Sequence, residues 1–249
     1  MKNALLCVRG LVMLSAALFS LIFASCGDEP NTPAGQTGGT VTVRMDGAVS
    51  TLNPYLPATG YSRYVAMRLF HTLAEIDPKT LELQPMLIKK IPTKREVKDG
   101  PYAGSLAYDF EILDEAKWDN GTPVTGNDMA FSLKVIFHPG LPTDVYRGFF
   151  QYLKGLEVDP ANPKKFTAYF SQYYMLMLES MCGVPIYPAY NYDPNNLLAG
   201  LPLSDFLDKN KVAQLTANPA AQAFAKEFSE SKYANDKNFV SGSGPYRLE

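Results

Sequence analysis

The stretch that most constrains this chain is Asp119-Asn120-Gly121 followed by Thr125-Gly126-Asn127-Asp128. Asn and Gly both tolerate positive φ, so Asp-Asn-Gly predicts a tight turn. Pro123 fixes an extended approach. Thr125 and Asp128 then fit the Ser/Thr-x-x-acid pattern of a helix N-terminus, a cap worth about 1 kcal/mol. Met129, Leu133, Ile136 and Phe137 recur on one helical face, which predicts burial. His138-Pro139-Gly140 stops the helix, with His138 placed where a partial positive charge suits the dipole. Trp118, beside the turn, is read as a packing residue.

Other segments follow the two elementary periods. Residues 41–45 alternate like a strand. Val65, Leu69 and Leu73 predict a helix over 64–73. Leu106, Tyr108, Phe110 and Ile112 alternate with Ala107, Asp109, Glu111 and Leu113, a strand with one buried face. Residues 98–101 before it form a hairpin or loop. Residues 156–158 and 166–170, joined through Asp159 to Pro163, predict a second hairpin. Residues 173–181 read as helical, 185–194 as extended and 220–228 as a short amphipathic helix. Residues 239–248 turn through Gly242 and Gly244 into a last strand. Short strands interleaved with helices give a mixed α/β or α+β fold.

The N-terminus carries a different signal. Lys2 and Arg9 precede an apolar run over 11–24 that is too short for a comfortable membrane span. It ends in Phe23-Ala24-Ser25-Cys26, which resembles a bacterial lipobox. We expect a leader over 1–25, lipidation at Cys26 and a flexible tether over 26–40, rich in Gly, Pro, Thr and Asn. Without Lys2 and Arg9 the chain keeps 21 basic and 25 acidic residues, a net charge of −4. That balance argues against nucleic acid as a partner. With Cys7 in the leader and Cys26 lipidated, Cys182 stands alone in an apolar setting and reads as a buried thiol.

Three segments resemble one family. The run KWDNGTPVTGNDMAFSL is similar to the W-[ST]-D-G-x-P-[LV]-T-A-x-D signature of family 5 extracellular solute-binding proteins, the receptors of bacterial ABC importers. Gly242-Ser243-Gly244-Pro245-Tyr246 resembles the family's G-[TS]-G-P-Y, and Thr51-Leu52-Asn53-Pro54 its T-L-D-P. Asn53, Asp119, Asn120 and Gly126 depart from the usual residues. The resemblance covers about 41–249. It implies a type II periplasmic-binding fold, with a first lobe over 41–60 and 184–249, an inserted subdomain over 61–183, and a second lobe that would lie beyond Glu249. It also implies peptide or small-solute binding, ABC permease partners and attachment to the membrane through the lipid.

Both Thr51-Leu52-Asn53 and Gly242-Ser243-Gly244 with Tyr246 are loops at strand ends, where α/β proteins place ligands. The resemblance puts both near the cleft, so these seven residues are the expected ligand-binding set. No cofactor or metal is implied. Catalytic constellations are missing: His71 and His138 are not paired as zinc ligands, and Ser241-Gly242-Ser243-Gly244 lacks a nucleophile-elbow frame. Asp114 and Glu115 read as a solvated face. The expectation is a non-catalytic receptor. The alternative is a cell-envelope lipoprotein hydrolase with catalytic residues beyond Glu249.

Overall fold

The computed structural model describes residues 39–56 and 58–249. The leader, Cys26 and nearly all of the tether lie outside the described residues. Contacts divide the chain into Met1–Arg44 and Met45–Glu249. In the first unit, residues 39–44 carry no regular structure. The strand expected over 41–45 is absent. A strand needs a hydrogen-bonded neighbour, and no strand of the described residues pairs with this segment. Val41 and Val43 are exposed.

The second unit begins with helix α1 (Gly60–Leu69), capped by Thr59, whose hydroxyl accepts from the Ser62 N–H. The helix starts four residues earlier than its apolar spacing suggested and ends before Leu73. Thr59 supplies the start that Val65, Leu69 and Leu73 could not locate. A small antiparallel pair follows, β1 (Ala74–Ile76) with β2 (Leu83–Pro85). Then come β3 (Lys94–Glu96) and β4 (Leu106–Glu111), joined by the hairpin expected around residues 98–101.

Helix α2 (Gly126–Phe137) begins where the sequence places it. The Asp128 carboxylate accepts from the Thr125 N–H at 2.8 Å and from its hydroxyl at 3.0 Å. Burial raises the Asp128 pKa, and the hydrogen bonds from Thr125 oppose that shift. Met129, Leu133 and Ile136 are fully buried, and Trp118 is buried beside the turn. A Cβ on Gly126 would come within 2.9 Å of the Phe166 Cβ, so the departure to Gly lets this helix lie close to the sheet. One-turn α3 (Asp144–Arg147) precedes β5 (Leu153–Val158) and β6 (Lys165–Phe170), the second expected hairpin. The four-stranded sheet runs β3-β4-β6-β5, antiparallel throughout. Phe110 and Phe166, directly opposite in register, stack at 4.8 Å.

Short helices complete the unit: α4 (Met177–Cys182), α5 (Ala189–Tyr192), α6 (Leu203–Leu207), α7 (Val212–Ala217), α8 (Pro219–Phe228) and α9 (Lys232–Asn235). The helix expected over 173–181 shrinks to α4, because Tyr173, Met175 and Leu176 are exposed. The extended stretch over 185–194 contains the turn of α5. The last strand is absent, and residues 240–249 are irregular. Helix α8 matches its periodicity, with Asn218 capping and Pro219 at its first position. No helix among the described residues is long and apolar enough to cross a membrane.

His138 corrects an expectation. It ends α2, but it is 1% exposed and lies against Phe206 and Phe224. Burial pushes its pKa down to about 4, so it is neutral rather than a cation for the dipole. Its Nδ1 accepts from the Gly140 N–H at 3.1 Å. The folded pKa lies below the unfolded value of about 6.5, so the unfolded chain binds the extra proton between them. Stability should fall as pH drops through that window, by up to about 3 kcal/mol from this group. Urea denaturation at pH 7 and pH 4 checks it: His138→Gln should lose less between the two than the parent does.

Candidate functional site

The Thr51 segment is held from beneath. Ser62, on the first turn of α1, accepts with its hydroxyl oxygen from the N–H groups of Ser50 at 2.8 Å and Thr51 at 3.3 Å. Leu52 N–H donates to the Ala234 carbonyl at 2.6 Å. Asn53 N–H donates to Thr51 Oγ1, and Asn53 Oδ1 accepts from the Tyr55 N–H and from the Tyr187 hydroxyl. Thr51, Leu52 and Asn53 are all buried, Asn53 completely. Its Nδ2 is buried without a partner. The Tyr55 hydroxyl donates to the Pro185 carbonyl, and Tyr146 donates to the Pro54 carbonyl at 2.7 Å.

The glycine segment is clasped between two elements. Gly242 N–H donates to Asp119 Oδ2 at 3.1 Å, and Asp119 N–H donates to the Gly242 carbonyl at 3.2 Å. Gly244 N–H donates to the Leu69 carbonyl at 2.8 Å, and Tyr246 N–H to that of Arg68 at 3.3 Å. A Cβ on Gly242 would overlap the Leu69 carbonyl oxygen, and one on Gly244 that of Arg68. Glycine is required here by close approach, since backbone oxygens cannot swing away. Ser243 Oγ is buried and unpartnered. Tyr246 is 65% exposed, the one side chain of the expected set turned to solvent.

An aromatic cluster joins the two segments. Tyr187 contacts Tyr55 at 4.8 Å, Phe70 at 5.3 Å and Tyr192 at 4.5 Å between ring centroids. The Tyr192 hydroxyl donates to the Ser241 carbonyl at 3.4 Å. Burial raises the pKa of Tyr55, Tyr187 and Tyr192, so each stays a neutral donor. Sequence reasoning missed these tyrosines. The spacing of Tyr187, Tyr190 and Tyr192 after Pro185 was the available signal.

Reactive groups are muted. The Cys182 thiol is buried, and burial pushes its pKa up to about 12. Burial also lowers the pKa of His71. Asp114 is exposed and pairs with Lys89 at 3.0 Å, as expected of a solvated face. Among the described residues no group of three His, Cys, Asp or Glu could hold a metal. The arrangement holds both segments in a fixed main-chain geometry.

Two substitutions probe this scaffold. Asn53→Ala leaves the Tyr187 hydroxyl without its acceptor and the Tyr55 N–H with only the longer contact to the Tyr187 oxygen at 3.4 Å, which costs about 1–3 kcal/mol for buried groups. Gly242→Ala should cost more, because its Cβ meets backbone. Thermal denaturation should show both losses, and an Asn53→Ala midpoint equal to the parent's would remove Asn53 from the scaffold.

The sequence model described as "Bacterial extracellular solute-binding proteins, family 5 Middle" matches residues 83–249. Among solved structures, an oligopeptide-binding protein from Thermus thermophilus, complexed with a pentapeptide, aligns at 20% identity and TM-score 0.53, covering 79% of this chain and 32% of that one. AppA of Bacillus subtilis, in complex with a nonapeptide, aligns at 17% identity and TM-score 0.50, covering 82% and 32%. NikZ of Campylobacter jejuni, in complex with Ni(L-His), aligns at 18% identity and TM-score 0.51, covering 82% and 31%. At these identities the likeness is one of fold, the mixed α/β type II periplasmic-binding fold, and the chain spans about a third of the length of each. No curated protein matches. With two thirds of its length matched, the chain belongs to the bacterial extracellular solute-binding proteins of family 5.

Proposed function

We propose that this chain forms part of the receptor of an ABC importer, which captures a peptide or similar small solute outside the cytoplasmic membrane and delivers it to a permease. Family membership carries the reading. The relatives solved with a pentapeptide and a nonapeptide support a peptide ligand. In this proposal residues 41–60 and 184–249 contribute to one lobe and 61–183 to an inserted subdomain. The ligand meets the Thr51-Leu52-Asn53 and Gly242-Ser243-Gly244 segments, with the three buried side chains shaping their loop from below. Tyr246 offers its exposed ring for direct contact. An extended peptide held mostly by main-chain hydrogen bonds would be read with loose sequence specificity. Closure over it would signal the permease. Lipidation of Cys26 would keep the receptor at the membrane, since several acyl chains at about 0.8 kcal/mol per CH₂ anchor stably.

The protein as its gene encodes it, purified from its native host, should carry peptide or small solute detectable by native mass spectrometry. Tyr246→Ala should weaken rebinding several-fold in calorimetry with the melting temperature nearly unchanged, because the ring is exposed. A protein that binds neither peptides nor small solutes overturns the reading. In the same membranes, mass spectrometry should find a lipid-modified N-terminal Cys26, and a mature protein starting elsewhere overturns the anchor.

A further inference from the structure

Asn120-Gly121 is the only place in the sequence where Gly follows Asn. A side chain on the following residue hinders approach to its backbone nitrogen, and Gly has none. The space beside Gly121 is open: even an added Cβ would meet no atom within 4 Å. Asn120, Gly121 and Thr122 are all exposed, so water and hydroxide reach the turn. The Asn120 amide is folded back along the chain. Its Oδ1 accepts from the Thr122 N–H at 2.9 Å and from the Thr122 hydroxyl at 2.7 Å. The first of these bonds closes a ring that contains both the Asn120 Cγ and the Gly121 nitrogen. An electrophilic carbon and a nucleophile are thus held in one small loop. Both donors sit on the oxygen that becomes an oxyanion when Cγ is attacked, and such donors stabilise the intermediate. One contact opposes attack: the Gly121 N–H donates to the Trp118 carbonyl at 2.8 Å, a bond given up when the nitrogen loses its proton.

We propose that Asn120 is a site of spontaneous deamidation, promoted by Thr122, whose isoaspartyl product loosens the clasp on the glycine segment. Hydroxide takes the Gly121 proton, and the nitrogen attacks Asn120 Cγ. The N–Cγ bond forms and the Cγ–Nδ2 bond breaks, with Nδ2 leaving as ammonia after taking a proton from water. Water then opens the cyclic imide at either carbonyl. Cleavage between Cγ and the nitrogen gives aspartate. Cleavage between the main-chain carbonyl carbon and the nitrogen gives isoaspartate, with the chain running on through Cγ. Aspartate keeps the backbone path and an acceptor for Thr122. Isoaspartate adds a carbon to the main chain inside the turn that places Asp119 against Gly242, where each donates an N–H to the other. The Trp118 N–H bond to the Thr122 carbonyl, at 2.8 Å across the same turn, loses its register too. The site goes beyond the receptor reading and does not rest on it.

Ageing the purified protein at mildly alkaline pH tests the site. Fragment spectra of its peptides should place the amide-to-acid mass change at Asn120 before any other asparagine, and isoaspartate-specific methyl transfer should label the same peptide. Thr122→Val should slow the conversion several-fold with circular dichroism unchanged, while Thr122→Ser, which keeps the hydroxyl donor, should convert like the parent. Hydrogen exchange at the Gly242 N–H should be several-fold faster in the converted protein than in fresh protein. In Asn120→Gln, whose longer side chain forms the imide poorly, that exchange should not change with ageing. The site is overturned if Asn120 keeps its amide while another asparagine converts. Its promotion by Thr122 is overturned if Thr122→Val converts like the parent, and its hold on the clasp if Gly242 exchanges equally in fresh and converted protein. None of these outcomes depends on whether a peptide binds at Tyr246.

Discussion

Tyr187 is fully buried, and a buried phenol must place its O–H on an acceptor or lose about 1–3 kcal/mol. The acceptor is Asn53 Oδ1, 134 residues away in sequence. Its backbone N–H donates to the Ser132 hydroxyl on α2 at 2.8 Å. Its ring packs on Tyr55, Phe70, Tyr192 and Phe228. One residue thus fixes the Thr51 loop, the end of α1, the middle of α2 and two later helices. These bonds lie in a low-dielectric interior, where each satisfied group holds its neighbours in place and each broken one is expensive. The contrast with the surface is one of magnitude. Arg95 and Asp109 face each other in good geometry, but both side chains are about half exposed. Such pairs contribute about 0–1 kcal/mol.

The clasp around Gly242 depends on that core. Leu69 offers its carbonyl to Gly244 because α1 has ended there, leaving its last carbonyls free. Asp119 reaches Gly242 because Gly121, at φ 84°, turns the chain back beside Trp118. The Trp118 turn and the glycine segment, separate in sequence, are therefore two halves of one junction. The Trp118 indole packs next to the Asp128 cap. Burial raises the Asp128 pKa, and Trp118 joins Thr125 in opposing that rise, although the indole N–H makes no hydrogen bond of regular geometry.

Local signals were legible in the sequence where the chemistry is local. The capped start of α2, its stop at His138, the β4 alternation, both sheet hairpins and α8 each rest on residues within a few positions of one another. What the sequence hid depends on partners far away. Residues 41–45 alternate correctly, yet alternation cannot supply a neighbouring strand. The β1–β2 pair is three residues a side and leaves little period to read, and its turn uses Leu81 at positive φ, which no propensity predicts. At the site, the loops were legible as glycine, proline and polar punctuation. The inward burial of Asn53 was not, because its reason is Tyr187. The chemistry of His138 failed similarly: Phe206 and Phe224 reach it from α6 and α8 and remove its charge.

Under the proposed function, a solute receptor would gain from this construction. Fixing a flexible loop on a ligand costs about 1–2 kcal/mol per ordered residue, which subtracts from affinity. Here the folded chain has already met that cost. Ser62 and Ala234 hold the Thr51 loop, while Leu69, Arg68 and Asp119 hold the glycine segment. The burial of Thr51, Leu52 and Asn53 and the exposure of Tyr246 are therefore complementary: three side chains fix backbone positions, and one ring stays free. A fixed backbone with few projecting side chains recognises what all peptides share, the main chain, more readily than what distinguishes them. Under the proposed function, selectivity on such a surface would come from the few side chains that project from it, such as the exposed ring of Tyr246.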